Sequence, residues 1–359
     1  MTRMLAMEVE CHPGLDPGSI GRRAETSGCR VKPGMTSFRC ALSRVLGVLR
    51  GRTSAPGVSI APLVPVLRLA LLAPLVLLAP LVLLSGPAHA ITVTDDRGVT
   101  LNFAQPPQRI VTLLPSLAET VCELGACDRI VGVDSFTNWP ASLGKLPRIG
   151  GLDDTNIELV VGLRPDLVLL SSTSRAMARL EGLGIPVMGL ELKTLDDVRR
   201  ALDRLGQVLG QPGADQVWQR MQAGIDEAAK SVPARLRGTT VYFEVASGPY
   251  AASESSHIGE LLQRLGAANV VPAHLGSVPK LNPEFVVRAD PQLIMISGRN
   301  DQGLAGRPGW NRIRALRDGR VCVFTPAQGD VIARPGPRLA QAARLLSQCL
   351  QGTLKGSAP

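Results

Sequence analysis

Short apolar runs alternate with helical segments along the chain after residue 108. The segment RIVTLLP, from Arg109, is apolar enough for a short buried strand, and SLAETVCELG has helical spacing. Ser116, followed three residues later by Glu119, predicts a capping box at the start of this helix. The segment RIVGV, from Arg129, predicts a second strand. This order of elements predicts one βαβ unit.

A second unit begins at Asn156, with the sequence NIELVVGLRPDLVLLSS. Its first half predicts a helix that ends before Pro165, because the residue before a proline disfavours helical backbone. Its second half is continuously apolar, which is typical of a parallel strand buried on both faces. The sequence therefore predicts an α/β fold with mainly parallel sheets.

Part of this unit occurs twice. Residues 156–172 align with residues 282–298 (NPEFVVRADPQLIMISG) without a gap, and seven of the 17 positions are identical. Ordinary residue usage would give about one identity at a single offset. A weaker similarity relates ETVCELGAC, from Glu119, to ELLQRLGAA, from Glu260. These similarities predict two lobes of similar construction.

Residues 194–232, between the two copies, have helical spacing. Thr194 is a candidate N-cap with Asp197 in the first turn, and the triplet QPG at 211–213 divides the segment into two helices. The second helix would extend roughly 30 Å, enough to connect two lobes. Two α/β lobes with a cleft between them suit ligand binding, because polar loops at strand ends converge there.

The first 90 residues predict a leader. An apolar run over residues 69–84 follows Arg68 and ends near the triplet AHA at 88–90, so we expect a secretory signal peptide cleaved after Ala90. A membrane anchor is the alternative, but the run is shorter than the roughly 20 residues of a membrane span and contains two prolines. No cysteine lies near the cleavage point, which favours a free periplasmic protein over a lipoprotein. The upstream segment resembles translated intergenic DNA, and we expect native initiation at Met35 or later.

Together these patterns predict four regions. They are a leader over 1–90, an N-terminal lobe over 91–193, bridging helices over 194–233, and a C-terminal lobe over 234–359. The formal charge of +9 is concentrated in the leader, since residues 91–359 hold 29 Lys and Arg against 26 Asp and Glu, a net charge of +3. With 3% aromatic residues in addition, the sequence disfavours nucleic-acid binding.

Four cysteines follow the leader. An even number in an oxidising compartment permits disulfides, and three pairings are open. Cys322 lies in a strand-like VCVF segment and Cys349 in the last predicted helix, so we take this as the first candidate pair. The alternative is that both are buried thiols.

Several segments together resemble one family. They are RIVTLLPSLAETVCELGACDRIVGV, NWP at Asn138, NIELVVGLRPDLVLLSS and GDVIARPGPRLAQAARLL. They resemble the periplasmic substrate-binding proteins of ABC importers for cobalamin and ferric siderophores, over nearly all of residues 92–351. The SFTNWP, IGGLDD and DVIARPGPR segments are most similar to the cobalamin-binding branch. The resemblance implies two Rossmann-like lobes joined by a single long α-helix, the class III periplasmic binding protein fold.

The resemblance also implies a function. We expect a monomeric, non-enzymatic receptor, with neither cofactor nor metal, that delivers cobalamin to the permease dimer of an ABC importer. In cobalamin-binding relatives a glutamate on each lobe docks into the permease, and the matching residues here are Glu158 and Glu284. Each also sits in a predicted first helical turn, where a carboxylate simply complements the helix dipole.

The ligand site implied by the resemblance combines aromatic and polar side chains from both lobes. A corrin ring has a broad apolar face and amide-bearing edges, which suits such a lining. The alternative is that the aromatic residues serve packing and the polar pair is a surface i, i+4 contact. Leu152 and Val278 stand where cobalamin binders carry further aromatics. The candidate ligand residues are Pro115, Ser116, Phe136, Trp139, Tyr250, Asp330 and Arg334.

Other functions have less support in the sequence. His257 and His274, the only histidines after the leader, match no common metal-ligand spacing. A haem receptor would rest on Tyr250 alone, because Tyr242 is expected to be buried in its strand. A ferric siderophore is the main rival ligand, with cations available at Arg299, Arg307 and Arg334. An enzyme would need a nucleophile elbow, a phosphate loop or a zinc motif, and none is present. A signalling role with the ligand lost is a further alternative.

Overall fold

The computed structural model describes residues 90–246, 248–297, 303–304 and 306–354. The predicted signal peptide up to residue 89 lies outside the described residues, as does Arg299. Within the described ranges, no helix is both long and apolar enough to cross a membrane.

Strands and helices alternate through most of the described chain. The strands are β1 (Ile91–Thr94), β2 (Thr100–Phe103), β3 (Ile110–Thr112), β4 (Ile130–Val133), β5 (Leu167–Ser171), β6 (Val187–Leu190), β7 (Thr240–Ala246), β8 (Tyr250–Ala251), β9 (Ala268–Asn269), β10 (Leu293–Ser297) and β11 (Val321–Phe324). The α-helices are α1 (Pro115–Glu123), α2 (Ile157–Gly162), α3 (Met177–Gly182), α4 (Leu195–Leu209), α5 (Ala214–Ser231), α6 (His257–Arg264), α7 (Pro283–Ala289), α8 (Arg314–Arg317), α9 (Pro326–Ala333) and α10 (Leu339–Gln351).

The N-terminal sheet has the strand order β4-β3-β5-β6, and its strands are parallel. Successive residues of β5 are buried on opposite faces. Leu167 and Leu169 belong to one hydrophobic cluster, whereas Val168 and Leu170 belong to another. The continuous apolar run predicted such a strand, and the prediction is confirmed.

The C-terminal sheet has the order β11-β10-β7-β8, and β9 also pairs with β7. Only β8 runs antiparallel to its neighbour. Strands β5 and β10 begin at Leu167 and Leu293, which are separated by the 126-residue offset seen in the sequence. The same offset separates Arg164 and Asp290, which both adopt left-handed backbone conformations, with φ of 47° and 41°. The internal repeat is therefore also a repeat in structure.

The bridging segment forms two helices, as predicted. Thr194 and Asp197 form a capping box at the start of α4. Helix α5 contacts both halves of the chain: Arg220 pairs with Glu123 of α1 at 2.7 Å, and Asp226 pairs with Arg264 of α6 at 2.5 Å. These contacts agree with two α/β lobes joined by a helix, the predicted fold class.

Helix α5 also packs closely on α10. A Cβ atom added at Gly224 would lie 2.6 Å from the Cβ of Ala340, so only glycine permits this approach. The structure joins α10 to β11 through a disulfide between Cys322 and Cys349, the pair favoured by the sequence. A second disulfide, which the sequence left unassigned, joins Cys122 to Cys127.

Two features differ from the sequence analysis. An antiparallel hairpin of β1 and β2 precedes the N-terminal sheet and was not predicted. Helix α1 begins at Pro115, with Leu114 as its N-cap and no side-chain cap. The predicted capping box of Ser116 and Glu119 is therefore wrong, because Ser116 already lies within the helix and the carboxylate of Glu119 has other partners.

Candidate functional site

A cavity of about 530 Å³ lies at the carboxyl edge of the N-terminal sheet. Strands β3, β5 and β6 are neighbours and run parallel, so the segments that follow them meet at the same edge. The opposite wall comes from the C-terminal half of the chain, after α9. The cavity is lined by residues 114–116, 152–153, 171–175, 190–193 and 333–335.

A buried carboxylate joins the two halves beside this cavity. Glu119 of α1 has no solvent exposure and accepts hydrogen bonds from two arginines that follow α9. Arg334 donates to it over 2.9 Å, and Arg338 donates to both of its oxygens over 2.8 and 2.5 Å. Charge-assisted hydrogen bonds of this kind are roughly twice as strong as neutral ones. Glu119 therefore anchors the C-terminal segment to the N-terminal lobe.

The same segment fixes the loop that follows β4. The amide of Asn138 donates to Asp330 over 2.8 Å and accepts from Arg334 over 2.8 Å. Arg334 also donates to the backbone carbonyl of Phe136 over 2.9 Å and pairs with Asp330 at 3.2 Å. Arg334 is buried, so these two residues are not merely a surface i, i+4 pair.

The loop after β4 is also held from within. The carboxylate of Asp134 accepts hydrogen bonds from the backbone N–H of Phe136 and the hydroxyl of Thr137. Burial raises the pKa of Asp134, although these hydrogen bonds oppose the shift. Because the backbone is fixed at both ends, the aromatic side chains of this loop are presented in a defined position.

Three predicted ligand residues are aromatic and partly exposed. The exposed fractions are 60% for Phe136, 37% for Trp139 and 40% for Tyr250. The guanidinium of Arg338 lies 4.9 Å from the centre of the Trp139 ring. The Phe136 ring lies against Gly151, where an added Cβ would come within 3.2 Å of it. The exposed ring faces of these residues are available for contact with a ligand.

The predicted ligand residues fall into two groups. Pro115, Ser116 and Arg334 line the cavity. Phe136, Trp139, Tyr250 and Asp330 lie outside its lining, although Phe136 and Asp330 contact Arg334. The aliphatic residues at the two positions that depart from cobalamin binders are also exposed, Leu152 by 52% and Val278 by 43%, and Leu152 lines the cavity.

Glu119 and Arg338 are site residues that the sequence analysis missed. Glu119 was assigned to a helix cap, and Arg338 was noted only as part of DVIARPGPR. The available signal was two arginines four residues apart in a segment rich in proline and glycine, which does not continue a regular helix. Such a segment needs a partner for its charges, but its partner is 215 residues away from Arg334.

The two predicted docking glutamates occupy matching places. Glu158 and Glu284 are exposed in the first turns of α2 and α7. Asn156 and Asn282 cap these helices by accepting hydrogen bonds from the backbone at 2.9 and 3.0 Å. Within the described residues neither glutamate carboxylate has an ion-pair partner, so both are available to another molecule.

Some other candidate groups have structural roles. Tyr242 is buried, as predicted, and donates its hydroxyl hydrogen bond to Glu244 over 3.0 Å. Arg307 donates two hydrogen bonds to the same carboxylate over 2.6 and 2.8 Å. Burial, followed by the charge of Glu244, raises the pKa of Tyr242. This cluster stabilises the C-terminal lobe and leaves little of Arg307 for a ligand.

The two histidines after the leader differ in their solvent exposure. His257 is buried and its Nε2 donates to the backbone carbonyl of Ile332 over 2.9 Å, whereas His274 is exposed. Among the described residues, no group of three or more His, Cys, Asp and Glu side chains could hold a metal ion.

Two parallel-sheet lobes, joined by a helix and enclosing a cavity between segments of both, define a class III solute-binding protein. The family model for periplasmic binding proteins matches residues 110–327, and the chain belongs to this family. The chain is therefore a substrate-binding protein of the ABC transporter class, in a family of exported transport proteins.

Two curated relatives illustrate the match. An ABC transporter substrate-binding lipoprotein of Bacillus subtilis, YvrC, is 28% identical over 273 residues, which is 72% of this chain and 85% of that protein. A cobalamin-binding protein of Halobacterium salinarum is 32% identical over 217 residues, 57% of this chain and 58% of that protein.

Solved structures agree with the fold. The periplasmic vitamin B12 binding protein BtuF of Vibrio cholerae superposes with a TM-score of 0.57 at 21% identity, over 70% of this chain and 99% of that chain. A periplasmic haem binding protein of Pseudomonas aeruginosa superposes with a TM-score of 0.55 at 29% identity, over 69% of this chain and 94% of that chain.

Proposed function

We propose that this protein is the periplasmic receptor that delivers cobalamin, or a related corrinoid, to an ABC importer. The observation that carries the proposal is a pair of exposed aromatic side chains, Phe136 and Trp139, which contact the arginines after α9 next to a cavity whose charged groups are already paired. Such a site suits a broad, nearly neutral ring system with hydrogen-bonding edges. The resemblance to cobalamin-binding relatives supports the same choice.

The pairing of the cations argues against an anionic ferric siderophore. Arg334 is held by Glu119 and Arg307 by Glu244, so both charges are compensated inside the protein. Binding a polyanionic chelate would require these ion pairs to break, which costs several kcal/mol when the remaining charge is buried. Arg299, the third cation of that hypothesis, lies outside the described residues.

Haem is the second candidate, because Tyr250 is exposed and a tyrosine can ligate haem iron. The similarity to the haem binding protein of Pseudomonas aeruginosa supports this alternative. However, Lys280 lies 5.9 Å from the centre of the Tyr250 ring, and a single tyrosine contributes little apolar area for a porphyrin.

We also propose that Glu158 and Glu284 dock the protein onto the two-fold permease. They lie at equivalent positions of the repeated unit and have no ion-pair partner within the described residues. A carboxylate on each lobe would accept bidentate hydrogen bonds from arginines of the two permease subunits, which fixes orientation as well as adding affinity. In this proposal the receptor is a monomer, exported by a signal peptide cleaved after Ala90.

Direct titration tests the ligand. The exported, purified protein is titrated with cyanocobalamin, a ferric hydroxamate and haem, and binding is followed by calorimetry and by the absorbance of each ligand. We expect cobalamin to bind with micromolar or tighter affinity and the other two to bind far more weakly. Binding of the ferric hydroxamate or of haem alone would overturn the cobalamin assignment.

A further inference from the structure

The start of helix α1 presents unpaired hydrogen-bond donors to the cavity. Ser116 lines the cavity but is only 4% exposed. Neither its hydroxyl nor its backbone N–H has a hydrogen-bond partner among the described residues. Solvent reaches this hydroxyl through the cavity, so a ligand in the cavity can accept its hydrogen bond.

The electrostatics of this helix end favour an anion. Helix α1 has nine residues, no acidic residue in its first turn and no side-chain cap at Leu114. Pro115 has no N–H and Leu117 donates its N–H to the Leu114 carbonyl over 3.2 Å, so the free backbone N–H of Ser116 carries the uncompensated positive partial charge of this helix end. By contrast, α2 and α7 each carry a capping asparagine and a glutamate in the first turn.

A hydroxyl-rich loop lies on the same cavity wall. Residues 171–174, with the sequence SSTS, follow β5, which pairs with the strand that leads into α1. Among the described residues, the hydroxyl of Ser172 has no hydrogen-bond partner. The loop can therefore donate further hydrogen bonds to a group held at the start of α1.

Each cation of the cavity lining has an acidic partner among the described residues. Lys193 pairs with Glu191, and Arg175 pairs with Asp153 at 3.7 Å. Arg334 is held by the buried Glu119. Neutral donors and one helix N-terminus suit a singly charged oxyanion better than a dianion, since each contributes only a partial charge.

We propose that Ser116 and the start of α1, with the 171–174 loop, form an oxyanion subsite of the ligand cleft. Its occupant is the phosphodiester of a complete corrinoid, the singly charged group that joins the nucleotide tail to the ring. This inference rests on the proposed corrinoid function. It adds that the receptor distinguishes complete corrinoids from those that lack the nucleotide tail.

The test compares cyanocobalamin with dicyanocobinamide, which has the same ring without the phosphodiester and nucleotide. We expect the wild type to bind cyanocobalamin at least about tenfold more tightly, the effect of one hydrogen bond to a charged group. Loss of the tail also removes nucleotide contacts, so the decisive readout is the effect of S116A and S116D. We expect S116A to weaken cyanocobalamin binding about tenfold and leave dicyanocobinamide binding unchanged. S116D should weaken cyanocobalamin binding further by repulsion.

Separate measurements test whether the substitutions at Ser116 affect folding. S116A removes one hydroxyl that has no partner among the described residues, so the S116A protein should keep the wild-type melting temperature, which is measured for both variants. S142A, which removes an exposed serine outside the cavity lining, is the matched control and should change neither affinity. Equal binding of both corrinoids by the wild type, or equal effects of S116A on both, would overturn the subsite and leave the proposed function intact. If neither corrinoid binds, both the proposed function and this inference are wrong.

Discussion

Arg338 donates two hydrogen bonds to Glu119, with Nε 2.8 Å from one carboxylate oxygen and Nη2 2.5 Å from the other. The two residues are 219 positions apart in the sequence and lie on opposite halves of the chain. Arg334 donates to the same carboxylate, and Glu119 has no solvent exposure. One buried negative charge therefore holds two positive charges at the junction of the lobes.

Replacing Glu119 by glutamine is expected to destabilise the protein strongly. The E119Q side chain keeps its shape but leaves Arg338 without its counter-charge and Arg334 with only Asp330, which typically costs about 3 kcal/mol or more of unfolding free energy. Urea unfolding measures the change. E123Q is the matched control on the same helix, because its ion pair with Arg220 is largely exposed and contributes about 1 kcal/mol at most. Equal stability of the two variants would show that the junction does not depend on Glu119.

A tryptophan at position 152 is expected to tighten cobalamin binding. Leu152 lines the cavity and is 52% exposed, so a larger aromatic side chain fits without displacing the core. Stacking on the corrin ring should contribute about 1 kcal/mol beyond area burial, or roughly fivefold in affinity. L183W is the control, since Leu183 is 56% exposed and does not line the cavity. Calorimetry that finds no gain, or a loss, for L152W alone would argue against a flat macrocycle at this wall.

Charge reversal at the two docking glutamates should separate transport from binding. E158K combined with E284K is expected to abolish cobalamin uptake, because lysine would repel the arginines of a permease. Ligand affinity should not change, since both glutamates are exposed, and the melting temperature should fall only slightly, because a lysine in the first helical turn opposes the helix dipole. E227K, which reverses an exposed charge on α5, should transport normally. Uptake is measured with labelled cobalamin in cells, and a parallel fall in affinity would contradict the docking role.

The repeat is the feature that made the fold predictable from sequence. Asn156 and Asn282 both cap helices, and β5 and β10 both begin 11 residues later, because short-range capping and apolar runs determine these elements locally. The α4 capping box was predictable for the same reason. Local patterns were sufficient wherever each interaction partner lies within a few residues.

The junction was not predictable, because its partners are distant in sequence. A glutamate three residues after a serine fits a capping box as well as a long-range ion pair, and only the fold distinguishes these. The unpaired hydroxyl of Ser116 was likewise not predictable from the sequence, because the fold determines which side chains surround it. The resemblance to a family implied Arg334 as a ligand residue, but not that Glu119 would hold it.

His257 is expected to make the stability of the protein depend on pH. Burial lowers its pKa to about 4, although the hydrogen bond with the Ile332 carbonyl opposes the shift. The unfolded chain, with a histidine pKa of about 6.5, binds a proton more readily, so stability is full above pH 6.5 and falls as pH decreases toward 4. The loss should approach about 3 kcal/mol, at roughly 1.4 kcal/mol per pKa unit.

Urea unfolding at several pH values measures this slope. H257Q should flatten it whatever its own stability, whereas H274Q, at an exposed site, should retain it. An unchanged slope in H257Q would assign the acid sensitivity to other groups.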